Sequence, residues 1–326
     1  MKFTPFVSGL VAVLPTVLAA PTPTEHQVAR ADIVKRATVT DACDIGYASG
    51  TTGGAGGSTT TVSTYAQFSA AASADGAKII VVSGPIEETA KQVKVTSDTT
   101  IVGADSSAVL TGFGLMIKEQ DNVIIRNLGV AKVLAENGDA IAVQLSTNVW
   151  IDHVDVSSDR DHDKDFYDGL IDLTHAADSV TISNSYIHDH WKASLVGHSD
   201  SNADEDTGFL HVTYANNFFE NINSRGPSFR FGTGHLFNNY YNAVSDGVNT
   251  RQGAQLLVES NVFVDSKKPL YSTDGGFAVA KDNDFGSGSN AAPTGTLTSV
   301  PYTYTALGSA SVKAAVVGTA GQTLKF

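Results

Sequence analysis

Short apolar segments closing on a polar side chain recur through the middle of the chain. They are Ile124-Ile-Arg-Asn127, Trp150-Ile-Asp-His153, Thr181-Ile-Ser-Asn184, Thr213-Tyr-Ala-Asn216, His235-Leu-Phe-Asn238 and Leu257-Val-Glu-Ser260. Their fourth positions stand 26, 31, 32, 22 and 22 residues apart. A minimum period of 22 with inserts is what a coil of three short strands and three turns gives when it stacks along an axis. Equivalent side chains then lie about 4.8 Å apart, one rung to the next. The Asn positions should ladder at a turn, and Tyr186, Phe218 and Tyr240, two residues further on, should stack. The pattern predicts an all-β parallel β-helix, with handedness left open by the period alone.

A second set of segments lies between the first: Ala140-Ile-Ala-Val143, Gly169-Leu-Ile-Asp172, Ala193-Ser-Leu-Val196, Ser228-Phe-Arg-Phe231 and Gly247-Val-Asn-Thr250. Two polar inserts, Ser157 to Tyr167 and Ser199 to Thr207, lengthen the period and should project from one edge of the solenoid. Upstream, Ser63 to Ala72 is expected to be a short helix with Ser63 as N-cap and Gly76 just past its end. Lys78 to Ser83 is expected to be a strand.

Thirty Gly and only 17% charged residues agree with an all-β domain, and 326 residues suffice for one large core. Met1 to Ala20 carries Lys2, an apolar run and small residues at its end, the pattern of a secretory signal peptide. Residues 21–36 end in Lys35-Arg36 and are expected to be a propeptide closed by a dibasic site. The domain from 37 to 326 is then a secreted, extracellular protein with no membrane span, expected to be monomeric. Residues 1–36 hold four basic and two acidic residues, which moves the net charge from −13 to −15 on their removal. So acidic a surface argues against nucleic acid, whose phosphates need basic patches. The lone Cys43 excludes an internal disulfide, leaving a buried thiol or a disulfide-linked dimer.

The chemistry gathers on the second set of segments. Asp139, Asp168 and Asp172 lie at its earlier rungs, and Lys192, Arg225, Arg230 and Arg251 on or beside the later ones. In extended chain Asp168 and Asp172 share one face while Gly169, Ile171 and Leu173 share the other. Two carboxylates on one face repel unless a cation lies between them, and three supply hard oxygen ligands suited to Ca²⁺. Arginines suit bidentate carboxylate binding. Metal site plus cations on an acidic protein therefore points to a polycarboxylate substrate lying in an open groove. His153, His175, His188, His190 and His198 are expected to be hydrogen-bonded or stacked members of turns and ladders. Asp159, Asp161, Asp163 and Asp165 alternate like a calcium loop but lack its turn glycine, which favours a solvated insert.

Asn148-Val-Trp-Ile-Asp-His153, Asp168-Gly-Leu-Ile-Asp172, Val180-Thr-Ile-Ser-Asn184 with His190 and Lys192, and Arg225-x-Pro-x-x-Arg230 together resemble the extracellular fungal pectate lyases of polysaccharide lyase family 1. The resemblance runs from Val62 to about Phe263. It implies a right-handed single-stranded parallel β-helix, with the short helix as N-terminal cap, that cleaves polygalacturonate (pectate) by Ca²⁺-dependent β-elimination. It further implies Asp139, Asp168 and Asp172 as metal ligands, Arg225 as the base at C5, and Lys192 and Arg230 as substrate-binding side chains. Some members carry an acid two residues before the first ligand; here that residue is Asn137. Three other readings weigh less. A pectin lyase acts on neutral esters and has no need of three acids. A β-helix hydrolase leaves the paired arginines unexplained. A binding module does not require acids and cations on one sheet.

Overall fold

The structure is a computed structural model that describes residues 1–2 and 37–326. The segments expected to be signal peptide and propeptide fall, apart from Met1 and Lys2, outside the described residues. From residue 37 the chain winds into a parallel β-helix of three sheets. A ten-stranded sheet runs from Ser58–Val62 to Phe277–Lys281, an eight-stranded sheet from Ile86–Glu87 to Val262–Val264, and a nine-stranded sheet from Val93–Lys94 to Asn290–Ala291. One coil shows the path: Asp178–Ser183 in the first, Tyr186–Lys192 in the second and Ser194–Val196 in the third. Every named strand pairs in parallel with its counterpart one coil away, as in Val180↔Val212 and Ile182↔Tyr214.

The recurring fourth positions form one corner, between the ten- and eight-stranded sheets. Asn127, His153, Asn184, Asn216, Asn238 and Ser260 have φ of 52, 51, 49, 58, 56 and 52°. Asparagine is the side-chain-bearing residue that takes this left-handed region at least cost, because its short amide can bond locally. Along the outside of the corner the amides link up as expected, Asn238 Nδ2 donating to Asn216 Oδ1 (3.1 Å) and Asn216 Nδ2 to Asn184 Oδ1 (3.3 Å). A second amide ladder, one residue later, lies wholly inside. Asn217, Asn239 and Asn261 are inaccessible to solvent, and each Nδ2 donates to the next Oδ1, ending on Asn283, at 2.9–3.0 Å.

The aromatic positions stack in the same two registers. Tyr186 and Phe218 lie 4.9 Å apart between ring centres and Phe218 and Tyr240 5.4 Å, on the outer face. Inside, Phe219, Tyr241 and Phe263 stack at 4.7 and 4.3 Å. Much of the rest of the interior is aliphatic: Val149, Ile151, Val180, Ile182, Ile141, Ile171 and Leu173 are fully buried.

Three expectations need correction. Thr64, not Ser63, caps the helix Tyr65–Ala72, its hydroxyl accepting from the Gln67 amide, while Gln67 Oε1 accepts from Ser63 N. Phe68 and Ala72 of that helix are buried in the core. In the nine-stranded sheet the observed register is Ile141↔Ile171↔Ser194 and Leu195↔Ser228↔Asn249, so the segment beginning at Gly169 sits one residue, and that beginning at Ser228 two residues, away from its expected alignment. The two inserts also do not share an edge. One enters the nine-stranded sheet before Ile171–Thr174 and the other leaves it after Ser194–Val196, so they flank that sheet on opposite sides.

Two of the three outer faces are covered. Across the ten-stranded sheet an N-terminal arm docks through Gly54 N to Thr100 Oγ1 (2.9 Å) and Ala48 N to Thr181 Oγ1 (3.0 Å). On this sheet Cys43 packs with Ile124 and Trp150 as a buried free thiol. Further along, Tyr302 reaches Thr213 (2.7 Å) and Tyr304 reaches Glu259 (2.5 Å). Helix Ser309–Val316 packs Val312 and Val316 on Tyr240 and Val262 of the eight-stranded sheet. The outer face of the nine-stranded sheet, between the inserts, is where the acids and cations lie.

Candidate active site

Asp172 is the second residue of strand Ile171–Thr174 and faces outward between Ala142 and Leu195, while Ile171 and Leu173 point into the core. Its Oδ1 accepts from Leu195 N at 3.1 Å, which fixes the carboxylate against the next rung. Asp139 precedes strand Ile141–Gln144 and Asp168 precedes Ile171–Thr174, both at the corner where the chain enters the sheet. Parity fails at Gly169. A Cβ there would lie 2.6 Å from Asp172 Oδ1 and 2.9 Å from Asp139 Oδ1, so its bare face is turned to the acids and not to the core. The Gly169 amide donates to Asp139 Oδ1 at 3.0 Å.

Two cations close the cluster. Lys192 ends strand Tyr186–Lys192 and places Nζ 3.4 Å from Asp168 Oδ1 and 3.4 Å from Asp165 Oδ1 of the first insert. Arg225 follows strand Phe218–Ser224 with φ 63°, and its Nη1 lies 4.0 Å from Asp172 Oδ2. Burial, then the charges of Asp172 and Asp168, push the Asp139 carboxyl well above the usual carboxylate range. Burial also raises Asp172, against the opposing pull of Arg225. The structure thus places Asp139, Asp168, Asp172, Lys192 and Arg225 beside one another.

Arg230 stands apart. It ends strand Ser228–Arg230 beside Arg251, with which it is in register. Its Nε donates to Asp200 Oδ1 of the second insert (2.5 Å) and its Nη1 to the Gly197 carbonyl (2.9 Å). Asp200 Oδ2 also accepts from Arg251 Nη2 at 3.1 Å.

With this geometry in place, comparison with known proteins is decisive. The pectate lyase family profile matches residues 22–324. The chain belongs to the pectate lyase family. It is 69% identical over 313 residues to pectate lyase A of Aspergillus niger, covering 95% of each chain. It is 66% identical over 324 residues to pectate lyase A of Emericella nidulans, covering 98% of each. Among solved structures, a pectate lyase of Bacillus sp. N165 in complex with trigalacturonate is 30% identical and superposes with a TM-score of 0.77, covering 85% of this chain and 98% of that one.

Whether this pectate lyase site suits a divalent cation follows from its own donors. Two carboxylate oxygens face the space that Gly169 leaves open, and the acids destabilise one another's charge when no cation is present. Both observations fit a hard cation. Among the described residues no three His, Cys, Asp or Glu side chains already converge as a formed metal cluster, and Asp168 is held by Lys192.

Gln92 is a supporting side chain that the sequence pattern does not single out. Gln92 donates to the Asp139 carbonyl (2.9 Å) and to that of Leu115 (3.3 Å), tying the first acid to the rung beneath. His190, nearly inaccessible, bridges the Ser158 hydroxyl and the Asp168 carbonyl, and burial pushes its imidazole down to about 4. A neutral ring with one N–H suits that bridge. The other imidazoles behave as the pattern suggests: His153 bonds Asp152, His188 bonds Asp155 and Asp189, and His175 bonds Glu205 and stacks on His198 at 4.1 Å. Asn137, two residues before Asp139, is buried with Nδ2 lacking a partner.

Proposed function

We propose that this enzyme is secreted and cleaves (1→4)-linked galacturonan at uronate residues by Ca²⁺-dependent β-elimination. The observation that carries the reading is the cluster itself: Asp139 and Asp172 at the bare face of Gly169, Asp168 beside them against Lys192, and Arg225 4.0 Å from Asp172. The three acids would hold the ion. Bound there, Ca²⁺ supplies positive charge that stabilises the enolate-like carboxylate formed as the C5 proton leaves.

Arg225 would accept that proton. The C5–H electron pair becomes the C4–C5 double bond, the C4–O bond breaks, and the departing oxygen takes a proton from water to leave as a new hydroxyl. Lys192 lies between the acids and the insert, where a substrate carboxylate would replace the contact to Asp165. Arg230 would hold a further uronate carboxylate. A guanidinium accepts a proton only after losing one, so turnover should favour alkaline solution. No helix among the described residues is long and apolar enough to cross a membrane.

The test is ultraviolet absorbance on polygalacturonate. Elimination creates a conjugated double bond and hydrolysis does not. Chelation is expected to abolish the signal and added Ca²⁺ to restore it. Reducing ends released without absorbance would replace elimination by hydrolysis, and full activity in chelator would remove the ion from the reading.

A further inference from the structure

The arginines at the later rungs already hold a carboxylate, and it belongs to the enzyme. Asp200 sits on the second insert and uses both oxygens across the strands below, Oδ1 on Arg230 Nε (2.5 Å) and Oδ2 on Arg251 Nη2 (3.1 Å), a nitrogen that also donates to Asp274 Oδ2 (2.8 Å). The base of the insert is anchored elsewhere. The inaccessible Asp206 accepts from Ala176 N at 2.7 Å and from Asn202 at 3.1 Å, and Glu205 bonds His175. Removing Asp200's contact therefore leaves the insert attached. Arg230 lies flat over Gly197, whose missing side chain would meet its Cβ at 2.9 Å, and is only 8% exposed. The Asp200 side chain is 48% exposed. The carboxylate that Arg230 shares with Arg251 is thus open to solvent, whereas Arg230 itself is nearly enclosed.

We propose that Asp200 is a built-in competitor for substrate: it occupies the Arg230–Arg251 pair as a uronate carboxylate would, and the polymer must displace it to bind there. This rests on the reading of Arg230 as a substrate-binding side chain. Exchange of one carboxylate for another on the same arginines gains little net free energy, because the desolvation and the charge-assisted bonds are alike on both sides. A methyl-esterified residue offers no charge and leaves Asp200 in place. Asp200 therefore weakens the binding of free uronate and leaves the binding of esterified units nearly unchanged, which makes it a specificity-determining residue.

The experiment measures binding and turnover separately for wild type, Asp200→Asn and Asp200→Ser. Asp204→Asn, on the exposed face of the same insert, controls for the loss of one negative charge. Calorimetric Kd for hexagalacturonate and KM for de-esterified polygalacturonate are expected to fall about 3- to 10-fold in both Asp200 variants. Both constants should stay within error in Asp204→Asn, and KM for highly methyl-esterified pectin should not fall in any variant. Equal tightening in Asp204→Asn would reduce the effect to net charge and overturn the proposal. So would unchanged or weaker hexagalacturonate binding in both Asp200 variants. Because binding is read directly, these outcomes stand apart from the absence of an ultraviolet signal in wild type, which would overturn the lyase reading instead.

Discussion

Arg225 carries the sharpest question about a single residue. Arg225→Lys keeps a positive charge but loses the planar fork and its reach toward Asp172, 4.0 Å away. If Arg225 takes the proton, turnover should fall about 10²- to 10⁴-fold, the range for a lost general base. Affinity for short oligogalacturonates, shared with Lys192 and the ion, should fall far less. Near-normal turnover with lost affinity would make Arg225 a carboxylate clamp. The acids and cations of this cluster were legible in the sequence because they gather on or beside one recurring set of segments. Gly169 was not: alternation assigns it to the core face, yet strand geometry begins only at Ile171, so parity does not extend back to it. Asp200 was hidden for a related reason. An acid in a polar insert looks solvated until the fold brings Arg230 and Arg251 beneath it.

Whole elements were legible where one residue type repeats for one physical reason. The corner positions were visible because only Asn and a few others accept φ near +50° cheaply. The inner amide ladder was overlooked although Asn217, Asn239 and Asn261 repeat every 22 residues, because buried amides run against the expectation of an apolar interior. Its contribution can be measured. Asn239→Ala deprives Asn217 of the acceptor for its backbone N–H and leaves the Tyr214 carbonyl without its donor, both in the dry interior. Unfolding free energy from urea denaturation should drop by roughly 2–4 kcal/mol, since each orphaned buried group costs about 1–3 kcal/mol. Unchanged stability would mean that the ladder is spacing and not glue. On the outside of the same coils His235 lies beneath the segment that carries Tyr302 and Tyr304, bonded to Tyr302 (2.8 Å) and Glu259 (3.2 Å). Burial pushes its imidazole down from 6.5 to about 4, outweighing the opposing charge of Glu259. A depressed imidazole contributes stability that is present above its unfolded value and lost as pH falls through the folded one. Tm should therefore decline between about 6.5 and 4, and His235→Gln should flatten that part of the curve. An identical profile in the variant would assign the acid sensitivity to other groups.

At the scale of the whole molecule, the expected processing after Lys35-Arg36 remains a matter for N-terminal sequencing of the secreted protein, which should begin at Ala37. A start at Ala20 or Pro21 would remove the propeptide from the picture. Parallel pairing from coil to coil has a wider consequence. Each rung is a template for the next, and nothing in the pairing rule says when to stop. A structure built that way is, in principle, a fibre. What makes this one a countable molecule is its two ends. Helix Tyr65–Ala72 lies against the first coils, burying Phe68 and Ala72. At the far end the chain leaves the ladder through isolated bridges, Val262 to Asp284 and Ala278 to Thr294, followed by Pro-containing irregular chain. Length is set there, by terminators, and a chain stripped of either one would carry exposed edges able to recruit another copy end to end.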